Sequence, residues 1–392
     1  MPQPHALRSF ILLYVLMYAA FGVASPFWPR FFETRGMSAQ QIGLLLGLGT
    51  IVRLIAGPVA ARVADRLQQL RRVLAAAAAL AACLAFGLPW VGAFWSLLIV
   101  RLCHEAALTP TTSLADALAL GASRSRAAPA MGFEYGWVRG SASAAFVVGT
   151  LVAGQVIGWT ALTSIAWMHG ALLLGAAAST TLLPAPEIKA GDAAESSSFK
   201  ALGELIGIVA FRRMVVIAAL VFGSHAMHDA FAVIRWNAAG LSPATISVLW
   251  SEAVVAEVLV FFLIGPRWVD ALGPGGAAAV ASMAAILRWV VMASTTHPGA
   301  LSIVQPLHGM TFALLHLACM RLMGAAVPSH LAATGQALYA LGPGLVTALL
   351  TFSSGLLYAR LGASGFLLMA LLSALALPLC AGLNSSVRRS KS

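Results

Sequence analysis

Apolar segments of about twenty residues recur along the whole chain. A helix of roughly 20 residues crosses the hydrocarbon core of a bilayer, and lipid offers no partner to unpaired backbone groups. The alternating pattern of membrane β-strands does not occur in the sequence. We therefore predict an all-α integral membrane protein with twelve transmembrane helices. The predicted helices cover about residues 8–30, 41–63, 73–90, 94–118, 134–157, 161–183, 211–235, 242–264, 274–294, 299–323, 333–357 and 363–384.

Charged residues are scarce, at 9% of the chain against 60% hydrophobic residues. A soluble domain carries roughly 25% charged residues, so this chain could not cover its own surface in water. Lysines and arginines are concentrated in loops on the N-terminal side of the predicted membrane, whereas the other side holds only Arg30, Arg35 and Arg360, with Arg235 near its rim. This bias predicts a multi-pass protein of the inner (cytoplasmic) membrane with both termini in the cytoplasm.

The net charge of +11 is explained by this topology. Nucleic-acid binding is not expected, because no basic stretch is interleaved with aromatic residues. The four cysteines, Cys83, Cys103, Cys319 and Cys380, lie in apolar segments, which favours packing roles over disulfides or metal ligands. No metal site and no cofactor are predicted.

One decapeptide pattern occurs twice. Residues 36–45 read GMSAQQIGLL and residues 240–249 read GLSPATISVL, an offset of 240 − 36 = 204 residues. Because the same offset holds across the second, fourth and fifth spans of each half, we predict two copies of a six-helix unit in parallel orientation. This offset also aligns IVRLCH (99–104) with IVQPLH (303–308), His104 with His308, Tyr135 with Tyr339 and Gly140 with Gly344.

A single long polar linker, PAPEIKAGDAAESSSFK at residues 184–200, divides the two halves. We predict an N-terminal six-helix bundle at 1–184, a cytoplasmic linker at 185–209 and a C-terminal six-helix bundle at 210–392. Parallel repeats related by an axis along the membrane normal are the plan of two-bundle secondary transporters.

The loop after the second span, GPVAARVADRLQQLRR, resembles the cytoplasmic motif of the major facilitator superfamily. The motif-like residues are Gly57, Asp65 and Arg66, and the second half carries a D-x-x-G of Asp270 and Gly273. Ala61 stands in place of the usual glycine, and two extra residues precede the basic pair. Small residues permit close helix approach, and an aspartate can cap a helix or pair with arginine. The alternative is ordinary topology charge.

Several segments resemble the phenylpropionate permease group, near the oligosaccharide and nucleoside proton symporters: PFWP, GLLLG, Asp116 in LADAL, FEYGWVRGS, LRW and QPLHGMTFALLHLACMR. FEYGWVR is also similar to the start of the fifth span of lactose permease, where the final arginine binds substrate; Arg139 has that position here. The resemblance also matches Arg288 and His308 to an arginine and a histidine of the coupling cluster. The glutamate that carries the proton in lactose permease is replaced by Thr311, so proton coupling would need another acid.

Ionisable residues at bilayer depth cost roughly 2.5–3.5 kcal/mol each on insertion scales, so they normally face a cavity or a partner. Arg53 and Glu257 lie 257 − 53 = 204 residues apart, which suggests a pair across the bundles, two gates, or a static salt bridge. His225 shares a helical face with His228 and Asp229, a spacing that suits proton handling or hydrogen bonding to substrate. The residues assigned to proton coupling are Asp229, His225, His228, Glu257, Glu252, Arg288 and Arg53.

Arg139 is the strongest candidate for substrate binding, because a guanidinium can pair a carboxylate bidentately. The alternative is an ion pair with Glu134 or Asp116 that ties helices together. Aromatic side chains near the span ends would line an apolar cavity or form interfacial belts. The residues assigned to substrate binding are Arg139, Trp28, Phe27, Tyr135, His308, His316, Gln305 and Phe231, and those assigned to helix pairing are Asp116, Glu134 and Arg321.

These features predict a secondary transporter, a monomer in the lipid bilayer, that moves a small organic solute with protons by alternating access. An aromatic carboxylate such as phenylpropionate is the expected solute. The alternatives are a proton-coupled drug or metabolite efflux antiporter, a sugar or nucleoside proton symporter, and a non-transporting receptor. HExxH, GxSxG and GxxxxGK[ST] motifs are absent from the sequence, so an enzyme is not expected.

Overall fold

The structure is a computed structural model that describes residues 3–123, 133–184, 199–381 and 383. All regular secondary structure in these ranges is helical. The helices are α1 (Gln3–Ala24), α2 (Trp28–Thr34), α3 (Ala39–Leu67), α4 (Leu70–Gly87), α5 (Phe94–Ser123), α6 (Tyr135–Trp159), α7 (Ser164–Ser179), α8 (Phe199–Gly207), α9 (Val209–Gly223), α10 (Ala226–Ala238), α11 (Pro243–Leu259), α12 (Gly265–Ser294), α13 (Pro298–Val304), α14 (Leu315–Ala326), α15 (Ala332–Leu361) and α16 (Gly365–Cys380).

Helical runs that could cross a bilayer account for most of the described chain. Nine such runs occur within the described ranges, and two of them, Pro243–Ser294 and Thr334–Cys380, contain 52 and 47 residues. At 1.5 Å per residue, 52 residues extend about 78 Å, more than twice the roughly 30 Å hydrocarbon core, so each of these runs has the length of two crossings. The helical, multi-pass architecture predicted from the sequence is confirmed, and the number of twelve crossings stays a prediction.

The first and seventh predicted spans are interrupted rather than continuous. Between α1 and α2 the chain turns at Ser25–Phe27, where Pro26 supplies no N–H to continue the helix. Between α9 and α10 it turns at Ser224 and His225, which leaves His225 at the start of α10. The tenth predicted span is also irregular, because a 3₁₀ turn at Gln305–Leu307 and a π-helical turn at Met310–Leu314 separate α13 from α14. π-Helical turns are frequent at functional sites.

The repeated decapeptide is explained by the way in which α3 and α11 begin. Gly36 and Gly240 adopt positive φ angles of 77° and 86°, which glycine tolerates without strain. Ser38 then accepts a hydrogen bond from the Gln41 amide, and Ser242 accepts one from the Thr245 amide, as helix-capping serines do. The pattern therefore encodes the same turn and helix start in both halves.

By backbone contacts the chain forms two compact units. Unit 1 comprises Met1–Met37, Ile51–Ala194 and Ser242–Val248. Its core packs α1 against α6 and α7, and α4 against α5 and α7. Two glycines allow α1 to approach α6 closely: a Cβ at Gly22 would lie 2.1 Å from the Phe146 carbonyl oxygen, and a Cβ at Gly149 would lie 2.5 Å from the carbonyl oxygen of Ala19.

Unit 2 comprises Ser38–Thr50, Glu195–Leu241 and Leu249–Ser392. Here α12 packs against α16, and α9 packs against α15. The first turns of α3 also contact α15, since Gly43 and Gly355 approach so closely that a Cβ at Gly43 would lie 2.8 Å from the Gly355 Cα.

Candidate functional site

The first group of polar side chains, the arginine–tyrosine cluster, consists of Tyr14, Tyr18, Asp116, Tyr135 and Arg139. Tyr14 and Tyr18 are four residues apart on one face of α1, and the same spacing separates Tyr135 from Arg139 on α6. The hydroxyls of Tyr14 and Tyr135 both donate to Asp116 Oδ1, at 2.5 and 2.6 Å. Arg139 donates to the Tyr18 hydroxyl and holds its guanidinium carbon 5.2 Å from the centre of the Tyr18 ring.

The Arg139 guanidinium is only loosely paired with the acid beside it. Its Nη1 atom lies 3.9 Å from Asp116 Oδ1, beyond hydrogen-bond distance. Both contacts use Nη1, and within the described ranges Nε and Nη2 have no hydrogen-bond partner. Arg139 is 40% exposed. Since Nε and Nη2 form an edge that binds a carboxylate with two parallel hydrogen bonds, this cluster can receive an organic anion.

Aromatic rings extend along α1 beside this arginine. Tyr14 stacks on Tyr18 with ring centres 5.9 Å apart, and Phe21 meets the Tyr18 ring edge-on at 5.3 Å. The sequence assigned the aromatic side of the site to Phe27 and Trp28. In the structure, the ring that contacts Arg139 is instead that of Tyr18, and the rings of Tyr14 and Phe21 pack against Tyr18.

A second group in unit 1, the arginine–histidine cluster, consists of Arg101, His104, Glu105 and His169. Arg101 and Glu105 form an ion pair on α5 and are each 6% exposed. Arg101 Nη1 lies 2.8 Å from His104 Nδ1, and His104 Nε2 lies 3.1 Å from His169 Nε2. His169 Nδ1 is 2.8 Å from the Ala20 carbonyl oxygen. Because that carbonyl only accepts, His169 carries its proton on Nδ1 and His104 carries its proton on Nε2.

The arginine–histidine cluster also holds two residues that the sequence assigned elsewhere. Trp28 packs its ring against His104 and His169, and Arg101 lies 5.1 Å above the Trp28 ring. Arg53, assigned to proton coupling, approaches Glu105 Oε2 at 4.0 Å. Phe27 precedes α2 and is buried.

The third group, the Arg288 cluster, lies in unit 2 and consists of Arg288, Gln305, His308, His228 and Glu257. Arg288 is fully buried and donates to Gln305 Oε1 from Nε (3.2 Å) and Nη2 (2.9 Å). Its Nη1 is 3.1 Å from His308 Nδ1, and its Nη2 is 3.3 Å from His228 Nε2. His308 Nε2 in turn lies 3.4 Å from Glu257 Oε2.

Two arginine–histidine–carboxylate chains therefore diverge from one guanidinium. A guanidinium only donates, so the facing histidine nitrogens accept and each imidazole carries its proton on the other nitrogen. His308 then donates to Glu257, and His228 donates from Nδ1 to Asp229 Oδ1 at 3.1 Å. Asp229 is 60% exposed, so one of the two chains ends at an accessible carboxylate.

His225 lies beside this cluster and is bonded within unit 2. Its Nδ1 is 3.0 Å from the Val221 carbonyl oxygen, and its Nε2 is 2.9 Å from Thr311 Oγ1. Thr311, which stands where the resemblance places the coupling glutamate, thus serves as a hydrogen-bond partner of histidine. The His225 ring is 5.1 Å from the Trp289 ring and 5.3 Å from the His308 ring.

Three other predicted residues, Phe231, His316 and Glu252, are not members of these clusters, although His316 lies within electrostatic range of Glu257. The Phe231 ring stacks on Tyr358 with centres 4.4 Å apart. His316 Nδ1 is 3.2 Å from the Tyr339 hydroxyl. Glu252 Oε1 accepts from Ser302 at 3.0 Å, while its buried Oε2 has no partner in the described ranges. These three positions stay candidates on the strength of the sequence.

Among the motif-like residues, Gly57 lies inside α3, and Asp270 and Gly273 lie inside α12. Asp270 forms an ion pair with Arg321, which joins α12 to α14. Gly273 takes a φ of 70° that turns the chain inside α12, and Pro274 follows it. A Cβ at Gly57 would lie 3.7 Å from Thr109 Cγ2.

The other charged positions near helix ends show fewer contacts. Arg66 and Glu134 are exposed. The side chain of Asp65 lies outside the described residues, as does most of the predicted linker.

Sequence reasoning missed Tyr14, Tyr18 and His169. The two tyrosines are four residues apart in YVLMY, which places both hydroxyls on one face of the first span, and this spacing could have drawn attention to them. His169 is isolated in an apolar helix, and only the fold brings it to His104.

Residues 7–369 match the family model described as the MFS_1 like family. The chain belongs to the MFS_1-like family, within the major facilitator superfamily. It is a transporter of the major facilitator type and a multi-pass membrane protein, not an enzyme.

Two curated relatives align over most of this transporter. A probable 3-phenylpropionic acid transporter of Escherichia coli (strain K12) is 31% identical over 357 residues, which are 89% of this chain and 90% of that protein. The maltose permease of Geobacillus stearothermophilus is 24% identical over 348 residues, 88% of this chain and 86% of the permease.

Solved structures show the same fold at low sequence identity. The crystal structure of the nucleoside transporter NupG aligns with a TM-score of 0.78 and 17% identity, covering 97% of this chain and 98% of that one. A bacterial homologue of the human lysosomal transporter Spinster, in an inward-facing and unoccupied conformation, aligns with a TM-score of 0.70 and 15% identity over 100% of this chain and 94% of that chain.

Proposed function

We propose that this transporter moves a small aromatic carboxylate of the 3-phenylpropionate type together with protons by alternating access. The observation that carries the proposal is Arg139, whose Nε–Nη2 edge is unoccupied by the described residues beside a row of aromatic rings on α1. The relative named as a probable 3-phenylpropionic acid transporter supports the same solute class.

The carboxylate and the aromatic ring of the proposed solute both fit the chemistry of the arginine–tyrosine cluster. A carboxylate on Arg139 would form two charge-assisted hydrogen bonds, which are stronger than neutral ones. An aryl ring a few bonds away would lie against Tyr18 and Phe21, where offset or edge-on ring pairs contribute ~0.5–1.5 kcal/mol beyond area burial. A sugar or nucleoside offers no anion to the guanidinium. Transport of those solutes and drug efflux are the alternative functions against which the experiment below tests this proposal.

Proton coupling is proposed to involve the Arg288 cluster. Its two histidines contact the carboxylates of Glu257 and Asp229, and a carboxylate is a group that can bind and release a proton. His225 lies next to this cluster, while Glu252 and Arg53 keep their assignment from the sequence alone.

We also propose that the transporter works as a monomer in the inner membrane with both termini in the cytoplasm. The support is the distribution of lysines and arginines between the two sets of predicted loops.

The test is uptake of 3-phenylpropionate by proteoliposomes with an imposed inward proton gradient. Arg139→Ala should weaken solute binding by about 2–5 kcal/mol, roughly thirtyfold or more, because one partner of a charge pair is removed. Arg139→Lys should recover only part of the affinity, since lysine cannot bind bidentately. Arg360→Ala, at an exposed arginine at the end of α15, is the matched control and should bind normally.

A neutral analogue, 3-phenylpropanamide, separates the solute classes. Wild-type protein should prefer the acid strongly over the amide, and Arg139→Ala should remove that preference. Equal binding of acid and amide by the wild type, or tight binding of sugars or nucleosides instead, would refute the proposed solute. Uptake of the acid that ignores the proton gradient would refute symport.

A further inference from the structure

Asp116 lies beside the proposed anion site, and its contacts differ from those of an ion pair that only joins two helices. Its Oδ1 atom takes two tyrosine hydroxyls and stays 3.9 Å from Arg139 Nη1. Asp270 and Arg321 are an example of such an ion pair in this protein, because their side chains contact each other directly. The Asp116 side chain is also 37% exposed, so it is not sealed within the helix packing of unit 1.

A solute carboxylate on the Nε–Nη2 edge of Arg139 would be the second carboxylate on one guanidinium. Like charges within about 4–6 Å disfavour each other, and one of the two acids then tends to be protonated. The solute carboxylate has the two direct hydrogen bonds of the fork, whereas Asp116 has no direct bond to Arg139. Asp116 is therefore the carboxylate that takes the proton.

We infer that Asp116 binds one proton when the solute anion binds Arg139, which makes solute binding itself proton-linked. This inference rests on the proposed function. It assigns proton binding to Asp116, which is not a member of the Arg288 cluster. In the step, H⁺ from water adds to an Asp116 carboxylate oxygen to form the neutral acid, and the solute anion pairs with Arg139. No other bond forms or breaks, and the net charge of the cluster is unchanged.

The groups that face Asp116 are consistent with this exchange. Helix α5 packs against α1, α4 and α6. The arginines at the start of α4, Arg71 and Arg72, donate to the Leu183 carbonyl and to Gln69 Oε1 instead. The titratable groups around Asp116 from α1 and α6 are Tyr14, Tyr18, Tyr135 and Arg139. A tyrosine hydroxyl that donates to the carboxylate can rotate and accept from the neutral acid.

The experiment is calorimetric binding of 3-phenylpropionate to the purified full chain, in buffers of different ionisation enthalpy and over a range of pH. Wild-type protein should take up about one proton per solute at pH values where Asp116 is ionised in the solute-free protein, and its affinity should fall about tenfold per pH unit there. Asp116→Asn mimics the neutral acid, so it should take up no proton and keep the acidic-pH affinity at all pH values. Glu33→Gln, which removes an acid paired with Arg30 elsewhere in unit 1, should behave as wild type.

Tyr14→Phe and Tyr135→Phe test the same inference without removing the acid. Each variant removes one hydroxyl that stabilises the Asp116 carboxylate, so the pH at which binding is half lost should move upward. A structural role for these residues would weaken binding or stability without moving that pH.

The inference is overturned if Asp116→Asn still takes up a proton, or if that variant does not fold and both phenylalanine variants leave the midpoint unmoved. Loss of proton uptake in Glu257→Gln rather than Asp116→Asn would also overturn it, while leaving symport intact. Failure of the wild type to bind the acid at all would instead refute the proposed function.

Discussion

His104 in unit 1 and His308 in unit 2 occupy equivalent positions of the repeat, since 308 − 104 = 204, and each faces an arginine through Nδ1. The Nε2 atoms of these two histidines face different partners. His104 Nε2 faces His169, whose own proton goes to a backbone carbonyl, whereas His308 Nε2 faces the carboxylate of Glu257.

Because of this difference, the hydrogen-bond chain through His104, here called the closed chain, ends without a group that binds a proton, whereas the chain through His308 ends on one that does. The chain through His104 ends on the Ala20 carbonyl oxygen, which already serves the α1 backbone and is not a base of comparable strength. The chain through His308 ends on an acid that can be neutral or charged. We interpret the first as a fixed frame for α5, α7 and α1, and the second as a place for proton exchange.

The two units also obtain their arginines from different helices. Arg101 is on α5, one turn from His104, and its repeat-equivalent position holds Gln305, because 305 − 101 = 204. In unit 2 the guanidinium comes from Arg288 on α12, and Gln305 accepts from it. A duplicated scaffold thus keeps the histidine and changes what surrounds it.

The largest effect that tests this comparison is expected for Glu257→Gln. The amide cannot bind a proton, so proteoliposomes should lose the part of the proton-driven accumulation of 3-phenylpropionate that depends on Glu257. Each coupled proton raises accumulation about tenfold per unit of pH gradient, and the variant should lose one such factor while the proton bound at Asp116 remains coupled. Solute exchange without a gradient should persist, and accumulation at the wild-type level would contradict the role of this chain.

A matched pair of histidine variants sharpens the comparison at a smaller scale. His308→Gln should slow proton-driven uptake at least about tenfold, the equivalent of ~1.4 kcal/mol in the barrier, because an amide cannot exchange a proton with Glu257 as an imidazole can. His104→Gln should keep uptake within about twofold of wild type and lose ~0.6–1.7 kcal/mol of stability, because a hydrogen bond between membrane helices is weakened. Initial uptake rates and chemical unfolding of the same preparations give both readouts. Equal uptake defects in the two variants would mean that the units do not differ in this respect.

The membrane-spanning helical architecture was predictable from composition and from the length of the apolar runs, because lipid permits few backbone solutions. The duplicated helix starts were predictable for a local reason: Gly36 and Gly240 carry the turn, and Ser38 caps the helix that follows. The breaks in the first and seventh spans were not predicted, although Pro26 is a sequence signal for the first of them. The seventh predicted span contains no proline, and hydrogen bonding shows its turn at Ser224 and His225.

The candidate site was predictable in part. Arg139, Arg288 and His308 drew attention as charges at bilayer depth and through family resemblance. Their partners depend on which helices pack together, and periodicity in one helix carries no information about that. The sequence predicts a helix-pairing role for Asp116 because it lies near a helix end. The hydroxyls of Tyr14 and Tyr135 come from other helices, so the sequence of its own helix does not indicate these contacts.

The smallest effect, and the one that tests the closed chain directly, is expected at His169. His169→Asn keeps a side-chain N–H for the Ala20 carbonyl oxygen and removes the acceptor that faces His104 Nε2, whereas His169→Leu removes both bonds. Hydrogen bonds between membrane helices contribute ~0.6 kcal/mol on average and ~1.7 at most, so unfolding in mixed detergent micelles should show the asparagine variant losing about 0.6 and the leucine variant about 1–2 kcal/mol. Proton-driven uptake by both should stay within about twofold of the wild type, because neither change reaches Glu257 or Asp116. Loss of accumulation at unchanged stability would place His169 in the path of the proton, and the chain in unit 1 would then be functionally equivalent to the one in unit 2.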